Sequence, residues 1–192
     1  KDKIFVLIFA DGELSRGNSQ NNVKKRQNQA LDAFSILGVK KSHFLNYEDQ
    51  KLDTIPTIKL AQDIEKIIST WNPDTVYTHY YGDLNQDHRK VFEATSIATR
   101  PTPDTNIKDL ICFETPSSTE WNVSKNKFSP TLFTDIESVI DQKLKAISCY
   151  KKEINPYPHP RSLDAIKNRS KHWGSTVGLK YAEAFHIIRQ IK

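Results

Sequence analysis

Hydrophobic positions along this chain alternate between strand-like runs and helix-like spacings. Short apolar runs typical of buried strands occur at residues 4–10, 42–45, 75–78 and 110–114. Apolar residues three and four positions apart, the spacing of a helix that buries one face, occur at residues 22–37, 60–68 and 87–99. This alternation predicts an α/β fold with a Rossmann-like, mainly parallel sheet flanked by helices.

The C-terminal part of the chain is predicted to be more helical. A capping box formed by Thr134 and Glu137 predicts the start of a helix that continues to Tyr150. A proline-rich loop follows at residues 155–161. Apolar residues at helical spacing then predict a final helix: Val177, Tyr181, Phe185 and Ile188. Since no repeat or low-complexity linker interrupts the chain, we expect one domain over residues 1–192.

Composition and charge narrow the class of protein. Hydrophobic residues make up 37% of the 192 residues, and no apolar run reaches the roughly 18 residues of a membrane span. We therefore expect a cytoplasmic protein without a transmembrane segment. The net charge of +5 comes mostly from scattered lysines, which favours a solvated surface over a nucleic-acid groove. The two cysteines are too few for a disulfide framework or a thiolate metal site. The sequence leaves open whether the chain forms a homo-oligomer.

The densest group of chemically useful side chains lies at residues 79–88, directly after the third predicted strand. It contains two histidines, two aspartates and two amides. Two more polar loops, at residues 11–16 and 46–53, follow the first two predicted strands. Because the carboxyl ends of parallel strands meet at one edge of a sheet, we expect all three loops to surround one cleft.

Within this segment, His88 is suited to bind a metal. It falls in the first turn of a predicted helix, where the helix dipole disfavours the protonated ring, and zinc requires a neutral imidazole. Asp87 would cap this helix, or would orient a histidine through a hydrogen bond. The alternative is an exposed His88 beside a simple helix cap. A catalytic zinc site needs about three protein ligands, and the other two are not evident in these residues.

Three more residues are candidates for catalysis or for binding a substrate. His79 could be a general acid, a substrate contact or a structural histidine. The guanidinium of Arg16 is suited to hold a phosphate or hydroxyl groups, with a surface ion pair to Glu13 as the alternative. Asp49 could hold sugar hydroxyls, or could cap the helix that follows it.

Five segments occur in the same order as in a known family. They are residues 11–16 (DGELSR), 37–39 (LGV), 79–89 (ending in DLNQDHR), 116–121 (PSSTEW) and 181–185 (YAEAF). Together they resemble the PIG-L or LmbE-like zinc-dependent N-deacetylases, which remove acetyl groups from substrates containing N-acetylglucosamine. The resemblance covers almost the whole chain. It implies that His88 is a zinc ligand and that Asp87 is its acidic neighbour in the catalytic site.

The chain departs from the family in two places. The other two zinc ligands and the general base of the family lie in an Ala-His-Pro-Asp-Asp-Glu motif, which is absent here. Family members carry that motif just upstream of the strand at residues 4–10, so we expect about thirty residues, with a strand and a helix, to precede Lys1. Many members also have a histidine where this chain has Asn85, which cannot deliver a proton. His79 is then the candidate acid, and Asn85 would bind substrate or orient the site.

The resemblance implies a zinc-dependent hydrolase that removes an acetyl group from an N-acetylated sugar or glycoconjugate. Zinc would activate a water and polarise the acetyl carbonyl, His79 would protonate the departing amine, and Arg16 and Asp49 would hold the sugar. One alternative is a non-catalytic carbohydrate-binding homologue without the metal site, and another is an amidase for a non-sugar substrate. A nucleotide-sugar transferase is disfavoured because no Gly-x-Gly-x-x-Gly loop follows any predicted strand.

Overall fold

The computed structural model describes residues 2–17, 20–123 and 125–192, except for the side chain of Arg16. In chain order, the helices are α1 (Gln20–Leu37), α2 (Thr57–Trp71), α3 (Gln86–Ala98), α4 (Ile140–Ile147) and α5 (Leu163–Thr176). The strands are β1 (Phe5–Ala10), β2 (Lys41–Tyr47), β3 (Thr75–His79), β4 (Asp109–Phe113), β5 (Leu132–Asp135) and β6 (Ala182–Arg189). These elements form two compact units: the described residues up to Lys51 with Thr134–Glu183, and Leu52–Phe133 with Ala184–Lys192.

The first unit contains the parallel pair β1 and β2, which the long helix α1 connects. The register runs from Phe5 opposite Lys41 to Ile8 opposite Phe44. Helix α1 ends before Gly38, whose φ of 73° is the left-handed conformation that a helix C-terminus commonly needs. Its buried alanines allow a close approach of α4, and the side chain of Gln142 in α4 donates a hydrogen bond of 2.6 Å to the carbonyl of Ile36.

The second unit contains most of a four-stranded sheet in the order β3-β4-β6-β5. Strands β3 and β4 are parallel, from Thr75 opposite Asp109 to His79 opposite Phe113, whereas β4 and β6 are antiparallel. Helix α2 packs on α3 and contributes fully buried residues such as Leu60. The connection from β3 to α3 is short, so the end of the strand and the first turn of the helix lie close together. This connection carries the candidate site.

The structure confirms the α/β fold class, the four predicted strands and the three predicted helices between them, with small shifts of their ends. Parallel pairing is also confirmed for β1 with β2 and for β3 with β4. In the described part of the chain, no helix is long and apolar enough to cross a membrane.

The predicted final helix is wrong, because Ala182–Arg189 is strand β6. Its buried residues Ala182 and Ala184 alternate with the less buried Glu183 and Phe185, which is the period of a strand. The helical spacing was a coincidence of a few large apolar residues placed across the end of α5 and the start of β6.

The capping box predicted at Thr134 is also wrong, because Thr134 lies in β5. Asp135, the last residue of β5, instead accepts a hydrogen bond of 2.8 Å from the backbone N–H of Glu137, the first residue of a short 3-10 helix that precedes α4. Helix α5 was not predicted. It is capped by Ser162, whose hydroxyl accepts a hydrogen bond of 3.0 Å from the N–H of Ala165, so a capping serine was its signal in the sequence.

Candidate active site

The loop between β3 and α3 is held by a buried tyrosine and a closely packed glycine. Tyr80 is 1% exposed, and its hydroxyl donates a hydrogen bond of 2.7 Å to the carbonyl of Lys127. A Cβ on Gly82 would collide with the carbonyl oxygen of Asn126 and would lie 2.8 Å from Cε1 of Tyr80. The loop therefore has little freedom where it leads into the polar residues of the site.

The carboxylate of Asp83 lies at the centre of the polar network. It is 1% exposed. Its Oδ1 accepts a hydrogen bond of 2.8 Å from the N–H of Asn85 and another from the hydroxyl of Ser118. Its Oδ2 accepts a hydrogen bond of 2.7 Å from the hydroxyl of Thr119. The imidazole Nδ1 of His88 lies 3.1 Å from Oδ1. This network joins the β3–α3 loop to the segment that follows β4.

The two histidines of the segment lie against each other. The rings of His79 and His88 stack with their centroids 4.2 Å apart and their planes 20° apart. On another side, His79 contacts Phe113 of β4 at a centroid distance of 4.9 Å. Nδ1 of His79 is buried and has no hydrogen-bond partner among the described residues. His88 therefore has a carboxylate at one ring nitrogen and an aromatic neighbour against its face.

This environment shifts the pKa values of Asp83 and His79 and so determines their charges. Burial alone would raise the pKa of Asp83, but hydrogen bonds from His88, Ser118 and Thr119 outweigh burial and lower that pKa to about 2. Burial and, less strongly, the charge of a protonated His88 lower the pKa of His79 to about 3, against the opposing effect of Asp83. At neutral pH, Asp83 is therefore ionised and His79 is neutral.

Asn85, rather than Asp87, caps helix α3. The side-chain oxygen of Asn85 accepts a hydrogen bond of 2.9 Å from the N–H of Asp87, so the prediction of Asp87 as the cap is wrong. Asp87 is buried, and its Oδ1 accepts a hydrogen bond of 3.1 Å from the N–H of Leu52. The placement of His88 in the first turn of a helix is confirmed.

In the first unit, the loops that follow β1 and β2 lie side by side. The N–H of Asp11 donates a hydrogen bond of 2.9 Å to the carbonyl of Tyr47, and the hydroxyl of Ser15 donates one of 2.6 Å to Oδ2 of Asp49. Asp49 therefore contacts the residue next to Arg16, whose own side chain is outside the described residues. Two of the three loops meet as expected, and the gathering of all three stays a prediction.

The turn that carries Arg16 is shaped by Asp11. Oδ1 of Asp11 accepts hydrogen bonds of 2.8 Å from the N–H of Glu13 and 2.9 Å from the N–H of Leu14. These bonds start a short 3-10 helix over Leu14–Arg16, which Gly17 ends with a φ of 69°. The DGELSRG sequence is thus explained locally by the side chain of Asp11, which accepts from the backbone of the turn, and by two left-handed glycines, Gly12 and Gly17.

The described residues fit a zinc ion only in part. Across residues 2–17, 20–123 and 125–192, no group of three or more His, Cys, Asp or Glu side chains is arranged to hold a metal ion. His88 offers one imidazole next to a buried carboxylate, which is how proteins commonly orient a metal-binding histidine. A complete zinc centre would need ligands besides these.

Asp83, Ser118 and Thr119 were not predicted as residues of the site. Asp83 was visible only as one of several polar residues in its segment. Ser118 and Thr119 lie 35 and 36 positions after Asp83, and their contact with it is a product of the pairing of β3 with β4. The one signal in the sequence was the PSSTEW segment, which resembles the family without revealing a role.

The fold and this histidine and carboxylate cluster define an α/β protein with a polar site at the start of a helix. Residues 1–99 match the PIG-L family, described as GlcNAc-PI de-N-acetylase. The chain belongs to this family.

Individual relatives agree with this assignment. The chain is 30% identical over 151 residues to the uncharacterized deacetylase YaiS of Escherichia coli (strain K12). The alignment covers 76% of each protein. It is 23% identical over 196 residues to diacetylchitobiose deacetylase of Thermococcus kodakarensis, covering 96% of this chain and 72% of the relative.

A solved structure supports the fold. The N,N'-diacetylchitobiose deacetylase of Pyrococcus horikoshii, complexed with its inhibitor MPG, aligns with a TM-score of 0.73 at 20% identity. The alignment covers 97% of this chain and 73% of that one. At this level of identity, the likeness supports the shared fold alone.

Proposed function

We propose that this chain is a zinc-dependent hydrolase that removes the acetyl group from an N-acetylated sugar or glycoconjugate. Membership of a de-N-acetylase family and two curated deacetylase relatives support the reaction class. The observation that carries the proposal is the imidazole of His88, held beside Asp83 at the first turn of α3.

In this proposal, His88 provides one zinc ligand. When bound, zinc would lower the pKa of its water and polarise the acetyl carbonyl. The other ligands would come from outside the described residues, so the experiments use protein expressed from its whole gene. Asp87 is proposed as the acidic neighbour of the ligand, where its bond to the N–H of Leu52 holds the residues before α2 against the start of α3.

The proposed substrate contacts are Arg16, Asp49 and Asn85. Asp49 is partly exposed and uses Oδ2 to accept the hydroxyl of Ser15, which leaves lone pairs of the carboxylate for sugar hydroxyls. The guanidinium of Arg16 would donate to the same substrate. Asn85 already uses its side-chain oxygen as a helix cap, so any contact with substrate would come from its NH₂ group.

The proposed reaction also needs a residue that donates a proton to the departing amine. The sequence suggests His79 as a general acid, but its stack on His88, its contact with Phe113 and its buried Nδ1 favour the structural role. Cytoplasmic location and homo-oligomer formation also stay predictions.

The test uses the full-length protein, purified without added metal. We expect zinc by elemental analysis and release of acetate from N,N'-diacetylchitobiose. His88→Ala should lose both while its circular dichroism stays unchanged, and His43→Ala, a change of an exposed histidine in β2, should lose neither. Undiminished zinc in His88→Ala would overturn the ligand assignment.

The same assay separates the alternatives. Binding of the sugar without acetate release and without zinc would favour a non-catalytic carbohydrate-binding protein. Acetate release from simple N-acetylated amines, but from no N-acetylated sugar, would favour an amidase for another substrate. Either result would contradict the proposed function.

A further inference from the structure

The hydrogen bonds around Asp83 determine where the protons of the network lie. The hydroxyl of Thr119 accepts a hydrogen bond of 2.7 Å from the N–H of Thr115, so its single proton is available to donate to Oδ2 of Asp83 at 2.7 Å. The hydroxyl of Ser118 accepts from the N–H of Asn85 at 3.3 Å and donates its proton to Oδ1 of Asp83. Both hydroxyl protons therefore point to the same carboxylate.

Among the described residues, the hydrogen-bond partners of Asp83 are all donors. The backbone N–H of Asn85 adds a third at 2.8 Å, and a carboxylate that accepts from two hydroxyls and an amide has no proton of its own to give. Nδ1 of His88 is buried and lies 3.1 Å from Oδ1 of this carboxylate, which is an ion-pair distance without the alignment of a hydrogen bond. At this distance, the carboxylate oxygen repels a lone pair on Nδ1 and attracts an N–H there.

We propose that Asp83, oriented by Ser118 and Thr119, is a positioning residue that keeps the ring proton of His88 on Nδ1 and leaves the lone pair on Nε2. The contact with Asp83 restricts movement of the His88 ring within the plane of the ring, and the stacked ring of His79 restricts movement perpendicular to that plane. The segment after β4 thereby sets which nitrogen of His88 can bind a metal or accept a proton.

The assignment differs from the one that the sequence suggests. Asp87 is the neighbour of His88 along the chain, but its Oδ1 accepts from the N–H of Leu52. The carboxylate at the ring nitrogen of His88 belongs to Asp83, five positions earlier in the chain. That Nε2 is the atom that binds zinc rests on the proposed function, whereas the tautomer of His88 does not.

The tautomer can be measured directly on the full-length, metal-free protein with ¹⁵N-labelled histidine. At pH about 8, above the ordinary histidine pKa of about 6.5, long-range ¹H–¹⁵N spectra distinguish a protonated from an unprotonated ring nitrogen. The signals of His88 are identified by their absence in His88→Gln. We expect a protonated Nδ1 and an unprotonated Nε2. A protonated Nε2 would overturn the proposal, whether or not the protein proves to be a deacetylase.

Variants test whether Asp83 and Thr119 determine the tautomer of His88. Thr119→Val keeps the shape of the side chain but removes its hydroxyl, and Asp83→Asn removes the carboxylate. We expect both variants to increase the Nε2–H form of His88, with the larger change in Asp83→Asn. Asp104→Asn, an exposed change in the same unit, should leave the spectrum unchanged. A pure Nδ1–H signal in folded Asp83→Asn would show that something other than Asp83 fixes the ring.

Zinc affinity provides the second readout. Loss of a carboxylate that orients a metal-binding histidine typically weakens binding by roughly 10–100-fold. We expect that range for Asp83→Asn in a chelator competition with the full-length protein, and no change for Asp104→Asn. Full affinity together with an altered tautomer would reject the metal-positioning role. Absence of zinc from the wild type would reject the proposed function and leave the tautomer result standing.

Discussion

His79 and His88 are stacked face to face, with ring centroids 4.2 Å apart, although nine positions separate them in the chain. The stack exists because β3 ends at His79 and α3 begins at Gln86, so the strand end and the first helical turn face one another. The contact with Phe113 on another side of His79 makes it part of an aromatic layer that supports His88.

This geometry predicts that His79 is needed mainly for the shape of its ring. His79→Phe should keep the stack, the free energy of unfolding to within about 1 kcal/mol and much of the turnover, whereas His79→Ala should cost about 2 kcal/mol and reduce turnover more strongly. Both variants should retain metal. Urea unfolding and acetate release measure the two effects. Equal loss of turnover in both variants, without loss of stability in His79→Phe, would indicate instead that His79 transfers a proton.

The lowered pKa of Asp83 predicts a specific dependence of stability on pH. Its pKa falls from 3.8 to about 2 in the folded protein. Its contribution to the free energy of unfolding is thus fully present above the unfolded pKa and is lost as the pH falls through the folded pKa. That contribution is on the order of 2 kcal/mol.

Urea unfolding of the wild type and of Asp83→Asn between pH 7 and pH 2 checks this effect. The difference in free energy of unfolding between the two proteins should stay constant down to about pH 4 and then shrink. Other carboxylates titrate in both proteins and cancel in the difference. A difference that stays constant to pH 2 would contradict the assigned charge state of Asp83.

Asn85 should contribute to stability as a helix cap, independently of any role in binding substrate. Asn85→Ala removes the acceptor for the N–H of Asp87 and should lower the free energy of unfolding by about 1 kcal/mol. Asn85→Ser restores a capping oxygen and should recover most of that loss. If Asn85 also contacts the sugar, KM will rise in both variants. If KM rises only in the destabilised Asn85→Ala, Asn85 acts as a helix cap and does not contact the sugar.

The position of the site could be predicted from the sequence because its signals are local. The apolar run at residues 75–78, the polar loop after it and the helical spacing from residue 87 each depend on neighbours within one turn or one strand. The placement of His88 in the first helical turn follows from the same pattern. Only the identity of the cap failed, because Asn85 and Asp87 are both good capping residues two positions apart.

The partners of the site could not be predicted, because they depend on strand pairing. Asp83 meets Ser118 and Thr119 only because β4 lies next to β3 in a register that places Phe113 opposite His79. Nothing in the local pattern of residues 116–121 specifies that register. Dependence on strand pairing also explains why β6 was predicted as a helix. Its alternation of buried and less buried residues is short, and only its pairing with β4 identifies it as a strand.

The backbone at Gly82 helps to bring these residues together. Gly82 lies between Tyr80 and Asp83, and an added Cβ would collide with the carbonyl oxygen of Asn126. Because this obstacle is backbone, it cannot move aside as the end of a flexible side chain would. Gly82→Ala should therefore lower the free energy of unfolding by about 2 kcal/mol or more. It should also weaken the Nδ1–H preference of His88, since the loop that carries Asp83 must shift.

Gly38→Asn is the matched control, because asparagine tolerates the left-handed conformation and nothing lies within 4 Å of a Cβ at that position. It should leave both the stability and the His88 signals close to those of the wild type. Urea unfolding and the ¹⁵N-histidine spectrum of the two variants measure these effects together. An unchanged spectrum in a destabilised Gly82→Ala would mean that the loop shifts without moving Asp83, and the link between Gly82 and the orientation of His88 would then be wrong.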